Sequence, residues 1–278
     1  MASISTKILT RLSEGIKKFQ PILQTAKSRD VNESDTVIII TDMLSEIFGY
    51  DKYSEITSEF AIRNTYCDLA IKLDGKLEFL IEVKAVGLEL KDSFVKQAVD
   101  YASNQGVDFV VLTNGVMWRV YKITFNKPID QELVLEFDFT KLNNKNSDDV
   151  EKLSLLSKEG WLKSSLYEFH SQKQALNKFF ISALIVNDNI IDILRKELRK
   201  ISPEVKVSSE QIINVVQLEV LKREVMEGEK ADEAKRKLQR FYNKQIKNKS
   251  IKQNIQNSDE QKFDGNNEVR DEVDIIVN

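Results

Sequence analysis

Three residues in the first half of the chain have the types and spacing to do chemistry: Asp68, Glu82 and Lys84. They sit in "YCDLAIKLDGKLEFLIEVKA", residues 66–85, which alternates apolar and polar positions on both sides of an Asp74-Gly75 turn. Alternation with period two puts Cys67, Leu69, Ile71 and Leu73 on one face of the first strand and Asp68, Ala70 and Lys72 on the other. In the second strand Leu77, Phe79, Ile81 and Val83 share a face, opposite Glu78, Leu80, Glu82 and Lys84. A strict two-residue turn would set Asp68 against Ile81 and mix polar with apolar throughout. One more loop residue, or a bulge, instead pairs Leu69 with Ile81, Ile71 with Phe79 and Leu73 with Leu77. That register also sets Lys72 against Glu78 and Asp68 against Glu82. Directly opposed Cβ atoms lie roughly 4.5–5.5 Å apart, and like charges there destabilise the pair. A divalent cation removes the conflict, and hard carboxylate oxygens suit Mg²⁺ or Mn²⁺. Lys84, on the same face, could orient an attacking water or offset charge on a phosphate. The chemistry indicated is metal-assisted phosphodiester hydrolysis. The competing reading is a solvated strand face. The apolar run "LEFLIEVKA" weighs against it, because it suits a central strand covered on both sides.

Positioning these groups requires an α/β framework. Residues 4–28 have helical spacing with a break expected near Pro21. A second helix should start after Asn32–Asp35, with Glu33 at its positive end, and stop at Gly49. A strand is expected over 53–63, then the hairpin. A helix through "LKDSFVKQAVDYASNQG" should end at Gly106. Two strands flank the Asn114-Gly115 turn and one more covers 131–139. The polar stretch 141–149 reads as a linker, and 150–246 as a helical region with a capping box at Ser208 and Gln211. From Lys247 to the end, few apolar residues remain, and disorder is expected. The expected organisation is an N-terminal helix over 1–30, an α/β domain over 31–140, the helical region, and the tail 247–278.

Composition sets limits. Of 278 residues, 41% are hydrophobic, enough for a core, and the net charge of −3 gives no global basic field to hold a polyanion. One cysteine and one histidine exclude an internal disulfide and any cage of several His or Cys ligands. His170 reads as a surface or packing residue and Cys67 as core filler. No secretory leader or apolar run of about 20 residues is seen, so the expected location is the cytoplasm. A local basic stripe, including Lys235, Arg236 and Arg240, could contact nucleic-acid phosphates or could be a solvated helix face. The helical region could serve a homodimer or a partner protein.

The order of these motifs resembles the PD-(D/E)xK nuclease superfamily, specifically the N-terminal nuclease domain of type I restriction R subunits and the stand-alone proteins related to it. Asp68 matches the first strand acid, Glu82 and Lys84 the E-x-K, and Glu33 the acidic helix start. Gln97 and Tyr101 match a Q-x-x-x-Y helix motif, and "LTNGVMWRVYK" resembles the T-N-G-x-x-W strand pair. The resemblance spans about residues 32–123. It implies a restriction-endonuclease-like α/β core with a mixed sheet flanked by helices, and hydrolysis of DNA in restriction or defence against foreign DNA. It implies Asp68, Glu82, the Val83 carbonyl and Glu33 as ligands of Mg²⁺ or Mn²⁺, with Lys84 at the scissile phosphate. Gln97 and Tyr101 would touch DNA or order the site. Cys67 stands where a proline often precedes the first acid. No Walker A loop is present, so ATP-driven translocation is not expected. The alternative is a catalytically silent nuclease fold that binds nucleic acid or a partner.

Overall fold

The computed structural model describes residues 5–62, 65–125 and 129–243, and of residues 62, 65, 92 and 97 the backbone only. The expected disorder of 247–278 lies outside the described residues. The chain divides into two compact units, Met1–His170 and Ser171–Asn278. None of the described helices is long and apolar enough to cross a membrane.

The first unit is built on a six-stranded mixed sheet whose spatial order follows the chain: β1 (Ile56–Ile62), β2 (Thr65–Leu73), β3 (Lys76–Val83), β4 (Phe109–Thr113), β5 (Met117–Thr124) and β6 (Asp130–Asp138). Every pairing is antiparallel except β3 with β4, which are parallel. A parallel neighbour needs a crossover, and helix α3 (Asp92–Gln105) provides it, ending at Gly106 in the left-handed conformation with φ 67°. All five residues of β4 are buried, as are Phe79 to Val83 of β3, so this pair forms the centre of the sheet. Helices α1 (Thr6–Ser28) and α2 (Glu33–Glu46) complete the N-terminal part.

Helix α1 runs unbroken through Pro21, contrary to the expected break. Its buried stripe of Leu12, Ile16, Phe19 and Leu23 continues across the proline, which lies on the exposed side. Beside it, Gln20 Nε2 donates to the carbonyls of Phe139 (3.1 Å), Thr140 (3.2 Å) and Leu142 (2.8 Å). Packing on both sides of Pro21 thus offsets the one backbone bond it cannot make.

The hairpin chooses the bulge. Asp74 (φ 49°) and Gly75 (φ 77°) form a two-residue turn that pairs Leu73 with Lys76 and Lys72 with Leu77. A register shift then leaves Glu78 unpaired and restores Ile71 opposite Phe79 and Leu69 opposite Ile81. The expected pairs Leu73–Leu77 and Lys72–Glu78 are therefore absent, Ile71–Phe79 and Leu69–Ile81 are present, and the ladder ends before the expected pairs Asp68–Glu82 and Cys67–Val83.

The stretch read as a linker is tied down. Ser13 Oγ donates to the Asn144 carbonyl at 2.9 Å, and Asn146 caps α4 (Ser147–Ser154) by accepting from the Asp148 amide. After α4 and α5 (Lys158–Leu162) the chain is still in the first unit: Trp161 packs against Phe79 and Phe109, with ring centroids 4.4 and 5.6 Å away. Its indole N–H donates to Glu78 Oε2 at 2.9 Å. Helix is expected from residue 150, but α4 begins at Ser147, inside the stretch read as a linker.

The second unit is helical. Helices α6 (Ser165–Ala175, beginning in the first unit), α7 (Lys178–Ile185), α8 (Asp188–Ile201), α9 (Ser209–Val215) and α10 (Arg223–Met226) precede a helix over 229–243. The expected capping box is present: Ser208 Oγ accepts from the Gln211 amide and Gln211 Oε1 accepts from the Ser208 amide. Two small cores hold this unit, one around Ala183, Ala234 and Leu238 and one around Ile191, Ile212 and Val216.

Candidate active site

The antiparallel ladder between β2 and β3 ends at Leu69 and Ile81, and two side chains of β2 continue it. Along β3, the Ile81 carbonyl and the Val83 amide point to the β2 side, since alternate residues share a hydrogen-bonding edge. Cys67 Sγ donates to Ile81 O at 3.3 Å, and Asp68 Oδ2 accepts from the Val83 amide at 2.7 Å. The next residue bonds the other way, with the Lys84 amide donating to Thr113 O of β4 at 2.9 Å. The strands separate here because a carboxylate and a thiol replace backbone groups. This leaves room for polar side chains inside an otherwise apolar sheet.

Into that room project the other two residues. Glu82 is 4% exposed. Its Oε1 accepts from Lys84 Nζ at 2.7 Å, while Oε2 is buried without a hydrogen-bond partner among the described residues. Lys84 Nζ also donates to the Val83 carbonyl at 2.8 Å and lies 3.5 Å from Glu33 Oε2, at the start of α2. Four of the residues singled out in the sequence, Glu33, Asp68, Glu82 and Lys84, therefore converge. Burial pushes both strand acids above the usual carboxylate range. For Asp68 the Val83 amide and Lys84 oppose that rise; for Glu82 Lys84 opposes it and Asp68 adds to it. Burial works against the charge of Lys84, but Glu82, Glu33 and Asp68 together outweigh it and hold the amine above its ordinary value. Cys67 is pushed up to about 12 by burial, then by Glu82 and Asp68, so its thiol stays protonated and structural.

The remaining candidates are placed elsewhere. Tyr101 is buried on α3, and the Gln97 side chain lies outside the described residues. Lys235, Arg236 and Arg240 are exposed on the helix over 229–243 in the second unit. His170 Nε2 meets Glu132 Oε2 at 3.0 Å, a packing role.

Sequence reasoning missed the groups that hold the loop after Lys84. Thr36 Oγ1 of α2 accepts from the Val86 amide at 3.2 Å and donates to Asn32 O at 2.7 Å. Asn114 Nδ2 donates to Leu88 O at 2.8 Å, while its Oδ1 accepts from the amides of Val116 and Met117. The Asn-Gly pair was legible as a turn, not as an anchor for a loop some 26 residues earlier. Replacing Asn114 by Ala strands the Val116 and Met117 amides and removes the donor to the Leu88 carbonyl. The expected cost is about 1–3 kcal/mol in urea unfolding at neutral pH.

The donor set fits a hard divalent ion: two carboxylates, one with an orphaned buried oxygen, beside a backbone carbonyl. Among the described residues no group of three or more His, Cys, Asp or Glu side chains is gathered to hold a metal, so Val83 O and waters would complete the shell. No curated protein and no solved structure matches the chain. Residues 39–134, from α2 into β6, match the family described as Type I restriction enzyme R protein N terminus (HSDR_N), so this part of the chain is similar to that family.

Proposed function

We propose that the protein is a metal-dependent DNA endonuclease of the PD-(D/E)xK type, acting in restriction or defence against foreign DNA. The observation that carries this reading is the buried carboxylate of Glu82, which has one oxygen on Lys84 and the other without a hydrogen-bond partner among the described residues. An unsatisfied buried carboxylate oxygen is costly and persists where function needs it. Asp68, Glu82 and the Val83 carbonyl would hold Mg²⁺ or Mn²⁺. When bound, the ion supplies positive charge against the charge that grows on the phosphoryl oxygens. Asp68 is fixed for this by the Val83 amide, and Lys84 places an ammonium where the scissile phosphate and its attacking water would lie. Water would add to phosphorus as one P–O ester bond breaks, its proton passing to bulk water and the departing oxygen taking one up from there.

The test is cleavage of supercoiled plasmid and phage DNA by the purified protein with Mg²⁺ or Mn²⁺. Cleavage by the wild type, with about a thousandfold loss in Asp68→Asn, is the expected result. Equal products from both proteins would reject the assignment. A second reading, a silent nuclease fold that binds nucleic acid without cutting, is favoured by the absence of a three-carboxylate cluster among the described residues. It predicts salt-sensitive DNA binding that survives Asp68→Asn and needs no metal.

A further inference from the structure

We propose that Lys84 Nζ stands in the cation position of this site: the amine holds the acids together until a divalent ion enters, and then yields its place. The inference rests on the metal reading above and adds a gate to it. The amine makes its two shortest contacts with Glu82 Oε1 (2.7 Å) and Val83 O (2.8 Å), and these are two of the oxygens assigned to the metal. A divalent ion held by the same two oxygens would need the space that Nζ fills. Two like charges would also repel strongly at such close range in a partly buried site.

A second observation shows that the ammonium is an incomplete substitute. Glu82 Oε2 remains buried and unpartnered among the described residues, and Glu82, Glu33 and Asp68 all act on this one amine. The amine also has other partners within reach of its long stem. Glu33 Oε2 is 3.5 Å from Nζ, and the Phe94 ring centroid on the first turn of α3 is 6.0 Å away, at the limit of cation–π attraction. A shift of Nζ toward them keeps its charge compensated while vacating the oxygens of Glu82 and Val83. In that position the ammonium is free to meet a phosphate. Lys84 thus lowers metal affinity in the resting protein, and metal entry releases it for use.

Calorimetric titration of the full chain with Mn²⁺, without DNA, tests this. Lys84→Met and Lys84→Gln both remove the competing charge, and each should bind Mn²⁺ about tenfold tighter than the wild type, the worth of a charge-assisted hydrogen bond. A merely structural role for Lys84 would loosen binding instead. In the unaltered protein, Mg²⁺ should increase acetylation of Lys84 by acetic anhydride, read by peptide mass spectrometry. This arm keeps the idea open to refutation if a variant misfolds. Neutral variants that bind no tighter than the wild type, or protection of Lys84 by Mg²⁺, would overturn the proposal while leaving the metal site in place. If no Mn²⁺ binding depends on Asp68 and Glu82, as judged with Asp68→Asn/Glu82→Gln, the metal reading itself fails and the gate with it.

Discussion

The double replacement Glu82→Met with Lys84→Met is expected to make the protein more stable, by about 1–4 kcal/mol, while removing the DNA cleavage proposed above. Both side chains are largely removed from solvent, 5% and 15% exposed, so their mutual attraction must first repay the loss of hydration. Glu82 Oε2 is not repaid at all. Two methionines of similar length fill the same volume with no polar atoms to satisfy. The single change Glu82→Met should have the opposite sign, about 1–3 kcal/mol of destabilisation, because it strips the Lys84 amine of its 2.7 Å partner. Glu33, 3.5 Å from the amine, keeps that loss below the usual range for a broken buried pair. Urea unfolding reads both signs, and the only two tryptophans, Trp118 and Trp161, lie in the first unit and report its transition.

The gap between wild type and double variant should depend on pH in a defined direction. Glu82 has its folded value raised above 4.5, mainly by burial. Its contribution to stability is therefore fully present below that ordinary value and lost as pH rises through the folded one. The double variant lacks this loss. Lys84, raised above 10.5, stays charged across the window and adds no slope. The two proteins should converge near pH 4 and separate toward neutrality. A gap that is constant, or that closes toward neutrality, would show that Glu82 is not strained by burial.

That burial explains why these residues stand out in the sequence. A hydrophobic strand with Glu82 and Lys84 in it breaks the local rule that both faces of a central strand are apolar, and such breaks concentrate where chemistry is done. The turn chemistry of Asp74-Gly75 and the demands of burial together required an extra residue in β3 and put Asp68 beside the end of the ladder. Which residue would bulge was not readable, because Glu78 is selected by the indole of Trp161, 83 positions away. The bond from Asp68 to the Val83 amide was hidden for a similar reason: alternation assigns faces, not which backbone group a side chain will replace. Thr36 and Asn114 escaped notice because a Thr in a helix and an Asn before Gly both have sufficient local explanations. Their partners, Val86 and Leu88, are chosen only once α2 and the β4–β5 turn close around the loop after Lys84.

A fragment ending at Lys145 should fail to fold, whereas one ending at His170 should fold cooperatively. The match to the restriction-subunit family ends at residue 134, and the polar stretch that follows invites a boundary there. The packing argues otherwise. Val150, Leu153, Leu155, Leu156, Trp161 and Leu166 belong to the same core cluster as β2, β3 and β4. At about 1.5–3 kcal/mol for each large apolar side chain buried, their loss approaches or exceeds the ~5–15 kcal/mol that holds a domain together. Polar ties go with them: Tyr50 Oη donates to Leu156 O at 3.0 Å, the Lys158 amide to Phe48 O at 2.8 Å, and Arg11 grips both carboxylate oxygens of Glu159 at 2.8 and 2.6 Å. Cutting at Lys145 uncovers Phe79 and Phe109, on the two central strands that also position Glu82 and Lys84. The shorter fragment should show red-shifted Trp118 emission and no cooperative melt, and the longer one a sharp transition. Cooperative unfolding of the shorter fragment would mean that α4 and α5 decorate the sheet rather than complete it, and that the site can be held by residues 5–145 alone.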